Sequence, residues 1–240
     1  INCEKRVIAM ELVLPRCRTG ITADDLDFIV AAVARDGRRV SLVKLLEDAE
    51  CRDLILDDDA LRRVILESPT QLSISSQLYF YILARHALRR VDIHCRDVAD
   101  YVGALLVEFS RMERVRTARR GRRPMDYLVD MLVAMDGVDD YTRFVIQVHI
   151  GNFSLFWSGI FPRHLLHRHN RRGAPKLEYY ESIGSTNFGV ASHHRLAEKY
   201  NVANILRTLA DSFHRTRLAL NDLSERLTFV DAPDFTVCRG

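Results

Sequence analysis

VANILRTLADSFHRTRLALNDLSERL, residues 202–227, is the stretch whose reading decides the fold. Its seam positions are Val202, Leu206, Leu209, Phe213, Thr216, Leu220, Leu223 and Leu227, in alternating steps of four and three. An α-helix turns once every ~3.6 residues, so these positions share one stripe. A half-buried strand would alternate in steps of two instead. The spacing predicts one long C-terminal amphipathic helix of about three heptads. Two uses of the seam stay open: packing inside an intramolecular bundle, or pairing with a protein partner or a second copy as a homodimer.

The same periodicity runs upstream and predicts an all-α fold, a multi-helix bundle with about two-thirds of its residues helical, roughly twice the usual share. Thr22 and Asp25 read as a capping box. The helix they open carries Leu26, Ile29, Val30 and Val33 and stops at Gly37. A short helix starts at Ser41, and Asp57, Asp58 and Asp59 precede ALRRVILE, where carboxylates suit the positive helix end. QLYFYILARHALRR, opened by Ser75 or Ser76, is apolar around most of its girth and should be central. Val98, Tyr101, Val102, Leu105, Phe109 and Met112 form the next buried stripe. Pro124 restarts a helix at a favoured first position, with Leu128, Met131, Leu132 and Met135 as its face and Gly137 as its end. The helix from about Asp139 runs to Phe161, where Pro162 stops it. Residues 1–240 read as one domain, with an N-terminal subdomain 1–70, closing near Pro69, packed on a main bundle 71–240. RVIAMELVL and LTFVDAPDFTV read as short strand-like ends.

Composition narrows the class. The net charge is only +3, so bulk electrostatics name no partner. Lysine occurs only at Lys5, Lys44, Lys176 and Lys199, leaving 31 of 35 cations as arginine, the side chain suited to bidentate carboxylate or phosphate contacts. The five cysteines, Cys3, Cys17, Cys51, Cys95 and Cys238, are odd in number and widely spaced, which fits a reducing cytoplasm and neither a disulfide scaffold nor a zinc ribbon. VIAMELVL contains Glu11 and no small-residue cleavage site, so no signal peptide is read there. Phe144 to Phe161 is apolar, but Gln147, His149, Asn152, Ser154 and Ser158 interrupt it. A spanning helix needs about 20 mostly apolar residues, so this is a buried core helix and no membrane partner is expected.

Residues 149–194 depart from the plain amphipathic pattern. They hold six of the nine histidines and the only tryptophan, Trp157. Histidine titrates near neutrality and serves metal or acid–base sites. The candidate ligand or anion-binding residues are His149, Arg163, His164, His167, Tyr180, Ser185 and His193. His164 and His167 share a helix face at i, i+3; a helix beginning near Ser185 would offer free N–H groups to an anion. No Glu-x-x-His, H-E-x-x-H or G-x-S-x-G motif is present, so no metal, cofactor or activated serine is expected. Gly151, Ser154 and Ser158 form a small-residue face that lets another backbone approach or leaves room for a ligand.

The basic run Arg111, Arg114, Arg116, Arg119, Arg120, Arg122 and Arg123 breaks the helical pattern and reads as an exposed, mobile connection from Glu113 to Arg123. Such a loop can bind nucleic acid or an acidic partner through Arg114, Arg116, Arg119, Arg120, Arg122 and Arg123. A second basic group, Arg163, Arg168, Arg171, Arg172 and Lys176, follows Pro162. GNFSLFWSGIFP, RRGAPKLEYYESIG and the amphipathic C-terminal helix together resemble a bacterial family of helical proteins with no established activity, over residues 125–227. The resemblance implies a bacterial, cytoplasmic helical protein and carries no catalytic residue. The leading expectation is a non-enzymatic interaction or regulatory protein. An enzyme or small-molecule binder with a site in 149–194, and a nucleic-acid binder using the loop 111–123, are the alternatives.

Overall fold

The computed structural model describes residues 12–33, 44–67, 74–118, 124–172 and 175–227; the side chains of 112–127, 172, 226 and 227 lie outside that description. Helix makes up 79% of the structure, and no strand occurs among the described residues. The two strand-like ends fall almost wholly outside them, as do Gly37, Ser41 and Pro69.

The chain divides into two compact units, residues 15–110 with 225–240, and residues 111–224 with 1–14. The division falls at 110/111, and Ser75 is hydrogen-bonded to Asp25 across the stretch that contains Pro69. Helix α1 (Ala23–Val33) opens with the capping box: Thr22 N–H donates to Asp25 Oδ2 and Asp25 N–H to Thr22 Oγ1. Asp25 also accepts from Ser75 N–H at 2.7 Å, and Ser75 is the N-cap of α4 (Ser76–Arg89). Between them lie α2 (Ala49–Leu56), capped by Asp48, and α3 (Asp59–Glu67). In α4 every residue from Leu78 to Leu88 is buried, as an all-round apolar helix requires. Helix α5 (Arg96–Ala118) presents Val98, Tyr101, Val102, Leu105 and Phe109 to the interior.

Helix α5 also corrects the expected loop, because it continues through residues 111–118. Arg, Glu, Met and Ala are good helix formers, and a run of like charge does not overturn that propensity. Arg114 and Arg116 therefore lie on a helical backbone, while Arg119, Arg120, Arg122 and Arg123 lie outside the described residues.

The second unit is built on α7 (Asp140–Ile160). From Phe144 to Ile160 only Gln147 escapes burial. Asp139 caps it, accepting from Thr142 N–H at 2.9 Å. Helix α6 (Pro124–Val133) precedes it, with Leu128 and Met131 buried. Helix α8 (Pro162–Arg172) leaves α7 at 89°, the turn falling at Phe161. Then come α9 (Leu177–Ser192), α10 (Arg195–Lys199), α11 (Ala203–Asp211) and α12 (Phe213–Leu227).

The small-residue face of α7 is covered by α9 and α12. A Cβ on Gly151 would stand 2.5 Å from the Phe188 ring, and one on Gly159 would stand 2.7 Å from Leu220 Cβ. From the α9 side, a Cβ on Gly184 would meet the Phe213 ring at 2.5 Å and Ser154 Cβ at 2.8 Å. The face is used for close helix contact.

The single long C-terminal helix is not observed: the seam bends at Ser212 (φ −111°, ψ 20°), which separates α11 from α12. Ser212 Oγ donates to the Thr208 carbonyl that its own N–H also uses. Such back-bonding loosens the helical ladder and bends the helix. Val202, Leu206, Leu209, Phe213, Thr216, Leu220 and Leu223 are all buried within the chain itself. These seven seam positions thus pack within the chain, and the side chain of Leu227 lies outside the described residues.

Candidate functional site

Helix α8 gathers three of the expected site residues, Arg163, His164 and His167, on its solvent side. Its amphipathic layout follows from the sequence PRHLLHRHNRR. Leu165 is buried, Arg168 and His169 are half-buried, and Arg163, His164, Leu166, His167, Asn170 and Arg171 are exposed. Arg163, His167 and Arg171 succeed one another at i, i+4, i+8, so they form a single stripe along the helix. From Pro162 to Leu177 there is no acidic residue; Glu178 is the first.

The corner that holds α8 against α7 is aromatic. Trp157 stands 5.0 Å from Phe161 and 6.1 Å from the His164 ring, and Phe156 stands 5.7 Å from Phe161, all between centroids. The tryptophan is thus buried on one side and touches the basic helix on the other.

The other expected site residues do not join this surface. His149 is fully buried in α7, and burial alone holds its pKa down to about 4, so it is a neutral imidazole near neutral pH. Tyr180 is buried in the first turn of α9, and burial raises its hydroxyl pKa, with Arg168 of α8 opposing the shift. Ser185 does not open a helix. It is the ninth residue of α9, so its local N–H groups belong to the helical ladder. Gly184, which suggested a turn, is instead the contact point for Phe213.

His193 and His194 terminate helices. His193 Nδ1–H donates to the Gly189 carbonyl at 2.8 Å, after the last turn of α9. His194 is the N-cap of α10: Nδ1 accepts from Leu196 N–H, which leaves the proton on Nε2 to donate to Asp140 at 2.9 Å. Its ring stacks on Phe144 at 5.0 Å. The hydrogen bonds from His194 and Arg195 hold the Asp140 carboxyl below the usual carboxylate range.

Three polar networks carry no local signature in the sequence. In the first unit, Arg18 bridges Asp53, Asp97 and Asp100, while Asp100 also accepts Cys17 N–H at 2.7 Å. Beside Tyr81, Asp57 accepts from Nε and Nη2 along one guanidinium edge of Arg85 at 2.7 and 3.1 Å and from the Arg96 guanidinium at 2.8 Å. The Asp57–Asp58–Asp59 run is thus divided: Asp58 accepts Ala60 N–H as a cap, and Asp57 is an ion-pair hub. In the second unit Glu181 accepts from His214 and Arg217, Arg217 donates to Asn221, and Asn221 Nδ2–H donates to the Ser158 and Gly159 carbonyls. All three networks act as tertiary cross-links. Only opposite charges at long sequence separation mark them, and one sequence cannot pair such residues.

No group of three metal-ligating side chains occurs among the described residues. No single helix there is long and apolar enough to cross a membrane; the bent pair α7–α8 meets the length and composition test only jointly. No family model matches the chain, and no curated protein or solved structure matches it either. The resemblance over residues 125–227 assigns no role to any residue of the site.

Proposed function

We propose that the chain is a non-enzymatic helical interaction protein whose contact surface is the outward face of α8. The carrying observation is a division of labour among the basic residues of 149–194. His193 and His194 hold helix ends and His149 is a buried neutral group, whereas Arg163, His167 and Arg171 form an exposed stripe. Leu166, 59% exposed, stands beside that stripe. An exposed stripe of basic side chains on one helix face attracts a partner of opposite charge. Cys17, Cys51 and Cys95 are free thiols, which supports a reducing, cytoplasmic setting.

Photo-crosslinking in living cells tests this reading. A photoreactive amino acid replaces Leu166 in one variant and the exposed Asn204 of α11 in another. Discrete covalent adducts are expected from position 166 and not from 204. Equal patterns at the two positions would refute the assignment of α8 as the contact surface.

A further inference from the structure

We infer that the α8 face binds the phosphate backbone of duplex nucleic acid; this rests on α8 being the contact surface. Three features select that partner. The first is charge. Residues 162–177 contain Arg163, Arg168, Arg171, Arg172 and Lys176 and no acid, in a chain whose net charge is only +3. Positive charge is concentrated here, and counterion release from a polyanion favours such a concentration.

The second feature is the shortage of apolar surface. A protein–protein contact of useful size has an apolar or aromatic core ringed by polar residues. Leu165 faces the protein's own interior, so α8 offers Leu166 as its one exposed large apolar side chain. Insertion into a lipid surface needs a broad apolar face, which is likewise turned inward here. Nucleic-acid interfaces are polar and strongly positive and need no such core.

The third feature is geometry. Arg163 and Arg171 are eight residues apart on one helix, so about 12 Å separates them along the axis. That is comparable to the width of the B-DNA major groove, about 12 Å. The guanidinium groups at the two ends can reach phosphates on opposite edges of the groove, with His167 between them. The exposed stripe contains no phenylalanine, tyrosine or tryptophan, the broad rings on which unpaired bases stack, so the surface suits a duplex backbone rather than a single strand. Binding of this kind positions the protein and reads no sequence.

The test uses the purified chain and a short duplex DNA of mixed sequence, with affinity measured across a range of salt. The probes are a triple variant on α8, Arg163→Gln/Arg168→Gln/Arg171→Gln, and a charge-matched control, Arg143→Gln/Lys199→Gln/Arg207→Gln, at exposed positions elsewhere in the unit. The expected results are binding that weakens steeply with salt, and a log–log slope that falls by about 2–3 in the α8 variant and stays unchanged in the control. The parent's Trp157 fluorescence should change on titration with duplex, since its ring contacts His164. Equal losses in both triples would reduce the effect to bulk charge and overturn the inference. So would the absence of salt-dependent duplex binding by the parent. Tighter binding to phosphatidylserine vesicles than to duplex would assign the face to a membrane instead. Adducts at position 166 without duplex binding would leave the interaction reading standing and remove this one alone. Circular dichroism melting of both triples establishes that they are folded.

Discussion

Phe188 fills the notch that Gly151 leaves in α7: any Cβ at position 151 would lie 2.5 Å from its ring. Both residues are buried, so the ring has nowhere to retreat. Gly151→Leu should therefore overpack the α7–α9 contact and cost about 1–3 kcal/mol or more, read from denaturant midpoints. Phe188→Ala in the same background should recover part of that loss. Strict additivity of the two substitutions would mean that the side chains do not meet.

A pH titration of stability probes His149. Its pKa is about 4 in the folded protein, against 6.5 for an ordinary histidine. Between those values the unfolded chain binds the proton and the folded chain does not. The contribution of the neutral imidazole is thus complete above pH 6.5 and is lost as pH falls towards 4, by about 3 kcal/mol in all. His149→Gln should flatten the stability profile across that window. An unchanged slope would show that His149 is not the group responsible. His86, whose pKa burial also lowers, contributes equally to both proteins.

Asp100 is 2% exposed and accepts from Cys17 N–H, Arg18 N–H and the Arg18 guanidinium. Asp100→Ala leaves those donors without their acceptor and should cost about 3–5 kcal/mol, the usual effect of breaking a buried charged pair from one side. A loss under 1 kcal/mol in equilibrium unfolding would mean that water or another carboxylate takes its place.

Leu209 separates the two uses of the heptad seam. It is buried inside its own chain. Leu209→Ala should lower stability by about 2–5 kcal/mol with a midpoint independent of protein concentration. A midpoint that rises with concentration would instead reveal a seam shared between copies.

These residues also show what a single sequence makes legible. The core helices α4, α5 and α7 were readable because apolar spacing, Ser75, Asp139 and Pro162 all agree on their position. The Thr22–Asp25 capping box was readable because both halves lie within one turn. Ser185 misled because a Gly-flanked polar segment looks like a turn; whether Gly184 is a turn or a contact depends on Phe213, distant in the chain. Ser212 misled because one hydroxyl, competing for one carbonyl, bends a seam whose spacing is otherwise continuous. Asp57 and Arg18 were invisible as hubs because their partners lie 28 to 82 residues away and leave no local pattern. The candidate surface was legible in composition as the basic group after Pro162. Its outward face became known only once Leu165 was seen to anchor the helix.

The near-complete burial of α7 has a consequence for the chain as it is made. Phe188 and Leu220, which pack on its glycines, both lie C-terminal to it, in α9 and α12. During synthesis α7 leaves the ribosome with much of its apolar girth uncovered. It waits while ~60 further residues are added, roughly 3–12 s at ordinary elongation rates. For that interval it resembles a client of trigger-type holding chaperones more than a finished helix. The second unit is therefore exposed to aggregation while it is incomplete, and slowing translation after residue 160 would lengthen its period of risk.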